Sequence, residues 1–200
     1  VLPVHEVSGN AELAEGNIDF RGDIVIHGNV ESGVNIRATG SITIDGVAEA
    51  CMLEAGKDII LRGGMLGGNK ASVKTKGAIT AKFFEFTNIL CEGDLQADVL
   101  MDCSVICHGQ IRLTGRKGSI IGGKVQAIRG LIATSLGNDA EKRTEIFVGA
   151  GIDVYSRLRV MEKKIEMTRE ELAKIEEGLE KFEILSKERG VSYTNDPRRT

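Results

Sequence analysis

Three stretches of this chain bring together residue types that could do chemistry. Gly118-Ser119-Ile120-Ile121-Gly122-Gly123-Lys124-Val125 has the G-x4-G-K spacing of a phosphate-binding loop, in which backbone N–H groups cradle the phosphates and the lysine reaches them. Val125 stands where a Ser or Thr would hold Mg²⁺, and the following residues alternate like a short strand instead of opening a helix. The run therefore reads as a turn in a repeat. Cys103-x3-Cys107-His108, with Cys91 sixteen residues earlier, invites a metal reading. The spacing is not CxxC, no second pair follows, and His108 has the opposite strand parity to Cys107. These cysteines read as small buried hydrophobes. Asp19, Asp23, Asp45, Asp58 and Asp94 could supply paired carboxylates for glycoside hydrolysis. A sugar groove would also want aromatic platforms, and the chain has two Tyr and no Trp. They read as a solvated face. No catalytic, cofactor-binding or metal residue is assigned, and the expectation is a non-enzymatic chain with no cofactor.

Binding chemistry is thinly represented. Phe83, Phe84 and Phe86 form the one aromatic cluster. They serve either as packing under a loop between repeats or as a partner patch, since exposed apolar clusters mark interfaces. Arg112, Arg116, Lys117, Lys124 and Arg129 make a mildly basic stretch that could face an acidic partner. A net charge of −3 and a pI near 5.7, with no aromatics between the cations, give no footprint for nucleic acid. No apolar run approaches the ~20 residues of a membrane span. The expected partners are proteins.

The elements that carry these residues are short and repeated. Ile36-x-Ala38-x-Gly40 leads into Ile42-x-Ile44-x-Gly46, and Leu53-x-Ala55-x-Lys57 leads into Ile59-x-Leu61-x-Gly63, 17 residues later. One half recurs as Ile24/Ile26, Ile42/Ile44, Ile59/Leu61, Ile79/Ala81, Leu95/Ala97 and Ile111/Leu113, at steps of 18, 17, 20, 16 and 16. The other recurs in phase as Ile36/Ala38, Leu53/Ala55, Val73/Thr75, Ile89/Cys91, Val105/Cys107 and Val125/Ala127. Alternation marks strands with one dry face, and the repeat length marks coils that bury that face only by stacking. With 25 Gly, two Pro and 4% aromatics, the composition suits tight turns around an aliphatic core. We expect a β-solenoid of about seven coils, a rod roughly 35 Å long at the strand spacing, over residues 1–151. Residues 1–21 form its opening coil and cap, and the longer steps mark outward loops such as Gly63–Asn69.

After residue 151 the period changes. Leu158, Ile165, Leu172 and Leu179 fall seven apart, and Met161, Thr168, Ile175 and Phe182 follow each by three. This is an a/d seam over about four heptads. It predicts a coiled-coil helix from Tyr155 to Arg189, roughly 50 Å long, within a segment 152–200 that ends in a turn. The seam Leu158, Met161, Ile165, Leu172, Ile175, Leu179 and Phe182 needs a partner: a second copy, making a homo-oligomer, or a returning helix beyond residue 200.

The order of Gly16-Asn17-Ile18, Gly22-Asp23-Ile24-x-Ile26-x-Gly28-x-Val30, Gly40-Ser41-Ile42, the Gly63-Gly64/Gly67-Gly68 pair, Gly118-x-Ile120-x-Gly122-Gly123 and Thr144 to Gly149 before heptads resembles the bacterial flagellar assembly protein A family. The resemblance covers essentially the whole chain. It implies a right-handed β-helix, a bacterial cytoplasmic location and a role in assembly without catalysis, and it carries over no functional residues. The family also has an N-terminal domain, and the chain starts Val1-Leu2-Pro3 without Met, so it reads as an excerpt or processed form. The expected function is a scaffold in flagellar or cell-surface assembly, with the solenoid as interaction surface and the coiled coil for association. The rivals are a filament of solenoids stacked end to end through open strand edges, a polysaccharide-active β-helix enzyme, and a hexapeptide-repeat acyltransferase. The last suits coils of 16 to 20 residues poorly.

Overall fold

The computed structural model of the chain describes residues 3–139, 142–149, 161–169, 171–176 and 178–179. By internal packing the chain divides into two units, Val1–Gly151 and Ile152–Thr200.

The first unit is a right-handed β-solenoid of about eight turns. Each turn places strands on three faces. The first face stacks Val4–Val7, Asp23–Ile26, Ile42–Ile44, Ile59–Leu61, Ile79–Ala81, Leu95–Ala97, Gln110–Leu113 and Gly130–Ala133, all in parallel. The expected count of seven falls short because the opening residues are a full rung: Val4–Val7 pairs in register with Asp23–Ile26. Each rung supplies two inward side chains here, and the columns Ile24–Ile42–Ile59–Ile79–Leu95–Ile111 and Ile26–Ile44–Leu61–Ala81–Ala97–Leu113 are buried. The third face stacks the other repeat half, Ile36–Leu53–Val73–Ile89–Val105–Val125 beside Ala38–Ala55–Thr75–Cys91–Cys107–Ala127. Small side chains in that second column let the faces converge at a tight corner.

The second face carries a single inward residue per rung. It forms the buried column Ala11, Val30, Ala48, Met65, Phe84, Leu100 and Ile120, which Leu136 continues in register on the last rung, where it is exposed. From Met65 to Ala127 the second and third faces belong to one long strand per rung, Met65–Thr75, Phe83–Cys91, Val99–Cys107 and Ser119–Ala127, and on the last rung they separate again into Ser135–Leu136 and Thr144–Val148. Each long strand bends at a residue with positive φ: Asn69 (61°), Phe86 (46°), Asp102 (48°) and Gly122 (70°). A left-handed residue turns the chain within one step while keeping the ladder on both sides. The step of 20 after Ile59 is a bulge in that corner and not a loop from Gly63 to Asn69. The strand already runs at Met65, and the extra residues 67–70 stand opposite the single residue Phe86.

The second unit is helical at residues 161–169, 171–176 and 178–179. The described residues hold a short single helix, not a paired coiled coil. The expected flanks of the long helix lie outside the described residues, including Leu158 and Phe182. Among the described residues no helix is long and apolar enough to cross a membrane.

Candidate interaction surfaces

The residues that could do chemistry are placed by the solenoid's own geometry. Gly118 to Val125 enters the strand Ser119–Ala127, with Gly122 as its corner. Gly123 packs so tightly that a Cβ would lie 2.2 Å from the Cys103 carbonyl oxygen. Both glycines serve the bend, and no helix N-terminus faces a phosphate there. Cys91 and Cys107 are register partners in the buried small-residue column, whereas Cys103 lies in a separate inward position and His108 is exposed. Burial pushes the Cys51 thiol up to about 12 and the Cys103 thiol up to about 11. The neighbouring Cys107 thiol, and then burial, raise Cys91 as well. These protonated thiols are poor nucleophiles and poor metal ligands.

The acidic residues have structural partners. Asp23, Asp58 and Asp94 accept hydrogen bonds from the backbone N–H of Ser41, Ala78 and Gln110 on the next rung, at 2.7, 2.8 and 2.8 Å. Asn10, Asn17 and Asn29 do the same for Asn29, Asn35 and Val47. At these corners the ladder turns away and leaves an amide unpaired, and the side chain replaces the missing carbonyl. The sequence carries this signal as Gly-Asn and Gly-Asp pairs at five of the six positions, with Lys57 before Asp58 as the exception.

Asp19 and Asp45 belong to charge ladders that run up the rod. On the third face, register places Asp19, Arg37, Glu54 and Lys74 on successive rungs. Arg37 lies 3.8 Å from Asp19 and donates to Glu54 at 3.0 Å, and Lys74 lies 3.5 Å from Glu54. The Arg37 guanidinium holds the Glu54 carboxyl below the usual range. On the first face's corner, His27 bridges Glu6 (2.7 Å) and Asp45 (2.9 Å), and Arg62 follows at 3.4 Å from Asp45. Hydrogen bonds to Glu6 and then Asp45 raise the His27 pKa. Further along the third face the ladder column turns apolar, through Leu90, Ile106 (43% exposed) and, past Gln126, Phe147 (43% exposed).

The aromatic cluster does not act as one surface. Phe84 is fully buried in the second-face column, so it leaves any partner patch. Phe86 occupies the corner at φ 46°, half-buried, with Lys142 Nζ 5.8 Å from its ring centroid. Phe83 points outward, half-buried, in a cleft of about 340 Å³ that it shares with Lys82, Glu85, Asp98, Val99, Met101 and Arg116–Lys117. The basic stretch is also dispersed. Arg112 lies on the first face and hydrogen-bonds Gln110, whereas Lys124 lies on the third, over the Phe147 ring. On the helix, Met161, Ile165, Leu172, Ile175 and Leu179 are each 54–63% exposed, and Met161, Ile165 and Leu172 line one groove.

A parallel three-faced coil with an aliphatic core, corner caps and charge ladders defines a β-solenoid, a class built to present rigid surfaces. Comparison with family models matches residues 3–195 to the flagellar assembly protein A β-solenoid domain, and the chain belongs to that family. No curated protein and no solved structure matches it. The family is one of flagellar assembly and is not known for catalysis.

Proposed function

We propose that the chain is a non-enzymatic scaffold in bacterial flagellar or cell-surface assembly, acting in the cytoplasm. Its solenoid supplies a rigid surface for protein partners, and its C-terminal helix pairs with a second copy as a coiled coil. Family membership supports the assembly role. The fold supports rigidity, because every rung hydrogen-bonds its neighbours along three faces and buries one continuous core. The association rests on one observation: the described seam residues Met161, Ile165, Leu172, Ile175 and Leu179 are all more than half exposed. Apolar residues at a/d spacing with water around them are stabilised by a facing helix.

Sedimentation velocity across a concentration series tests this on the full chain and on an Ile165→Asp/Ile175→Asp variant. A discrete dimer or trimer that the variant converts to monomer supports the reading. A monomer in both overturns the association and leaves a returning helix of the same chain as the cover. Large concentration-dependent species in both transfer the association to the solenoid's open strand edges, as in a filament. The same double variant in cells should lower flagellar number. Unchanged flagellation with a monomeric variant separates association from assembly.

A further inference from the structure

We propose that the second face carries a docking cleft for an extended acidic segment bearing a large apolar side chain, a client-recognition site resting on the scaffold reading above. The floor is formed by outward residues of two adjacent rungs, Phe83, Val99 and Met101. All three are half-buried, so apolar atoms face water from within a concavity and not from a flat sheet. Phe83 is held in place. Its ring packs on Gly64, where even a Cβ would lie 2.5 Å from Cδ1, so the ring has a fixed seat before any ligand arrives. A pre-seated aromatic beside a cleft is the form that interface anchors take, because little side-chain freedom is lost on binding.

The rim selects for charge. Lys82, Arg116 and Lys117 surround the floor, all exposed, and none makes an ion pair among the described residues. Elsewhere on this rod, Arg37, Arg62 and Lys74 are matched by a carboxylate on a neighbouring rung, and Lys142 by Asp102 two rungs away. Two acids also line the cleft, Glu85 and Asp98. The Asp98 carboxylate is packed against the turn that carries Arg116 and Lys117, since a Cβ on Gly115 would overlap it. It therefore supports the turn more than it opposes a ligand. Three cations against two acids leave this cleft positive on a chain whose net charge is −3. Unmatched cations around an apolar seat complement a segment with carboxylates on either side of an apolar anchor.

The test is fluorescence anisotropy of the full chain with a labelled short peptide of Asp and Glu flanking a Phe-Leu pair. Two control peptides replace Phe-Leu by Ala-Ala, or the acids by Lys. The acidic Phe-Leu peptide should bind saturably and each control about tenfold or more weakly. Arg116→Glu/Lys117→Glu should weaken binding at least tenfold. Lys57→Glu/Lys76→Glu, the same change in net charge at other exposed positions, should leave it within about twofold. Phe83→Ala should abolish the preference for Phe-Leu over Ala-Ala. Should Phe83→Ala unfold the chain, the Arg116/Lys117 pair decides, because those side chains are exposed and unpaired. The proposal is overturned if the two double variants weaken binding equally, if the Ala-Ala peptide binds as well, or if the acidic Phe-Leu peptide does not bind. None of these outcomes bears on the helix seam, whose test is sedimentation.

Discussion

Replacing Phe84 by Ala removes the largest fully buried side chain of the solenoid. Phe84 sits in the one-residue-per-rung column, register-paired to Met65 on one side and Leu100 on the other. The lost transfer free energy is about 2 kcal/mol, and a residual cavity of roughly 80 Å³ at about 24 cal/mol per Å³ adds about 2 kcal/mol more. Met65 can swing part of its flexible thioether into the space, which pulls the total toward the lower end of the ~3–5 kcal/mol range for such truncations. At about 2–4 °C per kcal/mol for a chain of this size, the melting midpoint should fall by roughly 6–15 °C. Phe83→Ala, one residue away and outward-facing, should cost about 1 kcal/mol or less. Thermal melts followed by far-ultraviolet circular dichroism, with urea titrations for the free energies, measure both. Equal costs at the two positions would refute the three-faced arrangement, because they would mean that strand parity does not separate core from surface at this rung.

Gly123 and Gly137 have nearly the same φ, 80° and 79°, in different surroundings. At Gly137 nothing lies within 4 Å of an added Cβ, so Gly137→Ala should cost only the left-handed strain, about 1 kcal/mol. Gly123→Ala should cost roughly 3 kcal/mol or more, since the Cys103 carbonyl oxygen blocks the methyl group. Equal losses in urea titrations would remove the steric account of that corner. The raised pKa of His27 gives a pH-dependent contribution with a definite sign. The His27⁺ pairs with Glu6 and Asp45 stabilise the first rungs fully below the unfolded-state value of about 6.5, and that stability is lost as pH rises through the folded value. His27→Gln should therefore lower the melting midpoint at mildly acidic pH, do little in mild alkali, and do less everywhere at high salt. A deficit that grows with pH would contradict the assignment. Cys51, Cys91 and Cys103 are buried with raised pKa values, so a thiol reagent such as dithionitrobenzoate should leave them unmodified in the native chain near neutral pH. Their release should follow unfolding in urea, and rapid labelling of folded protein would show that the columns open.

What the sequence made legible follows from how many inward residues a face contributes. The first face places two per rung and the third three, so Ile42/Ile44 and Cys51/Leu53/Ala55 alternate and stand out. The second face places one, flanked by outward residues and a corner, so Met65, Phe84, Leu100 and Ile120 leave no local period to detect. Their relation exists only from rung to rung, at steps of 19, 16 and 20 residues. Adjacency along the chain therefore groups Phe84 with Phe83 and Phe86, whereas parity sends it inward; the Val4–Val7 strand of the opening coil is hard to see for a different reason, since three of its four residues are exposed. The same reasoning accounts for the functional surface. A partner site on a solenoid is assembled from side chains one or two rungs apart in space and sixteen or more apart in sequence, such as Phe83 with Val99 or Lys82 with Arg116. Adjacent basic residues such as Arg112, Arg116 and Lys124 meanwhile scatter over different faces. On this fold charge clustering along the chain carries little information about charge clustering in space. The register sets that clustering, and it leaves Lys82, Arg116 and Lys117 unmatched beside Phe83.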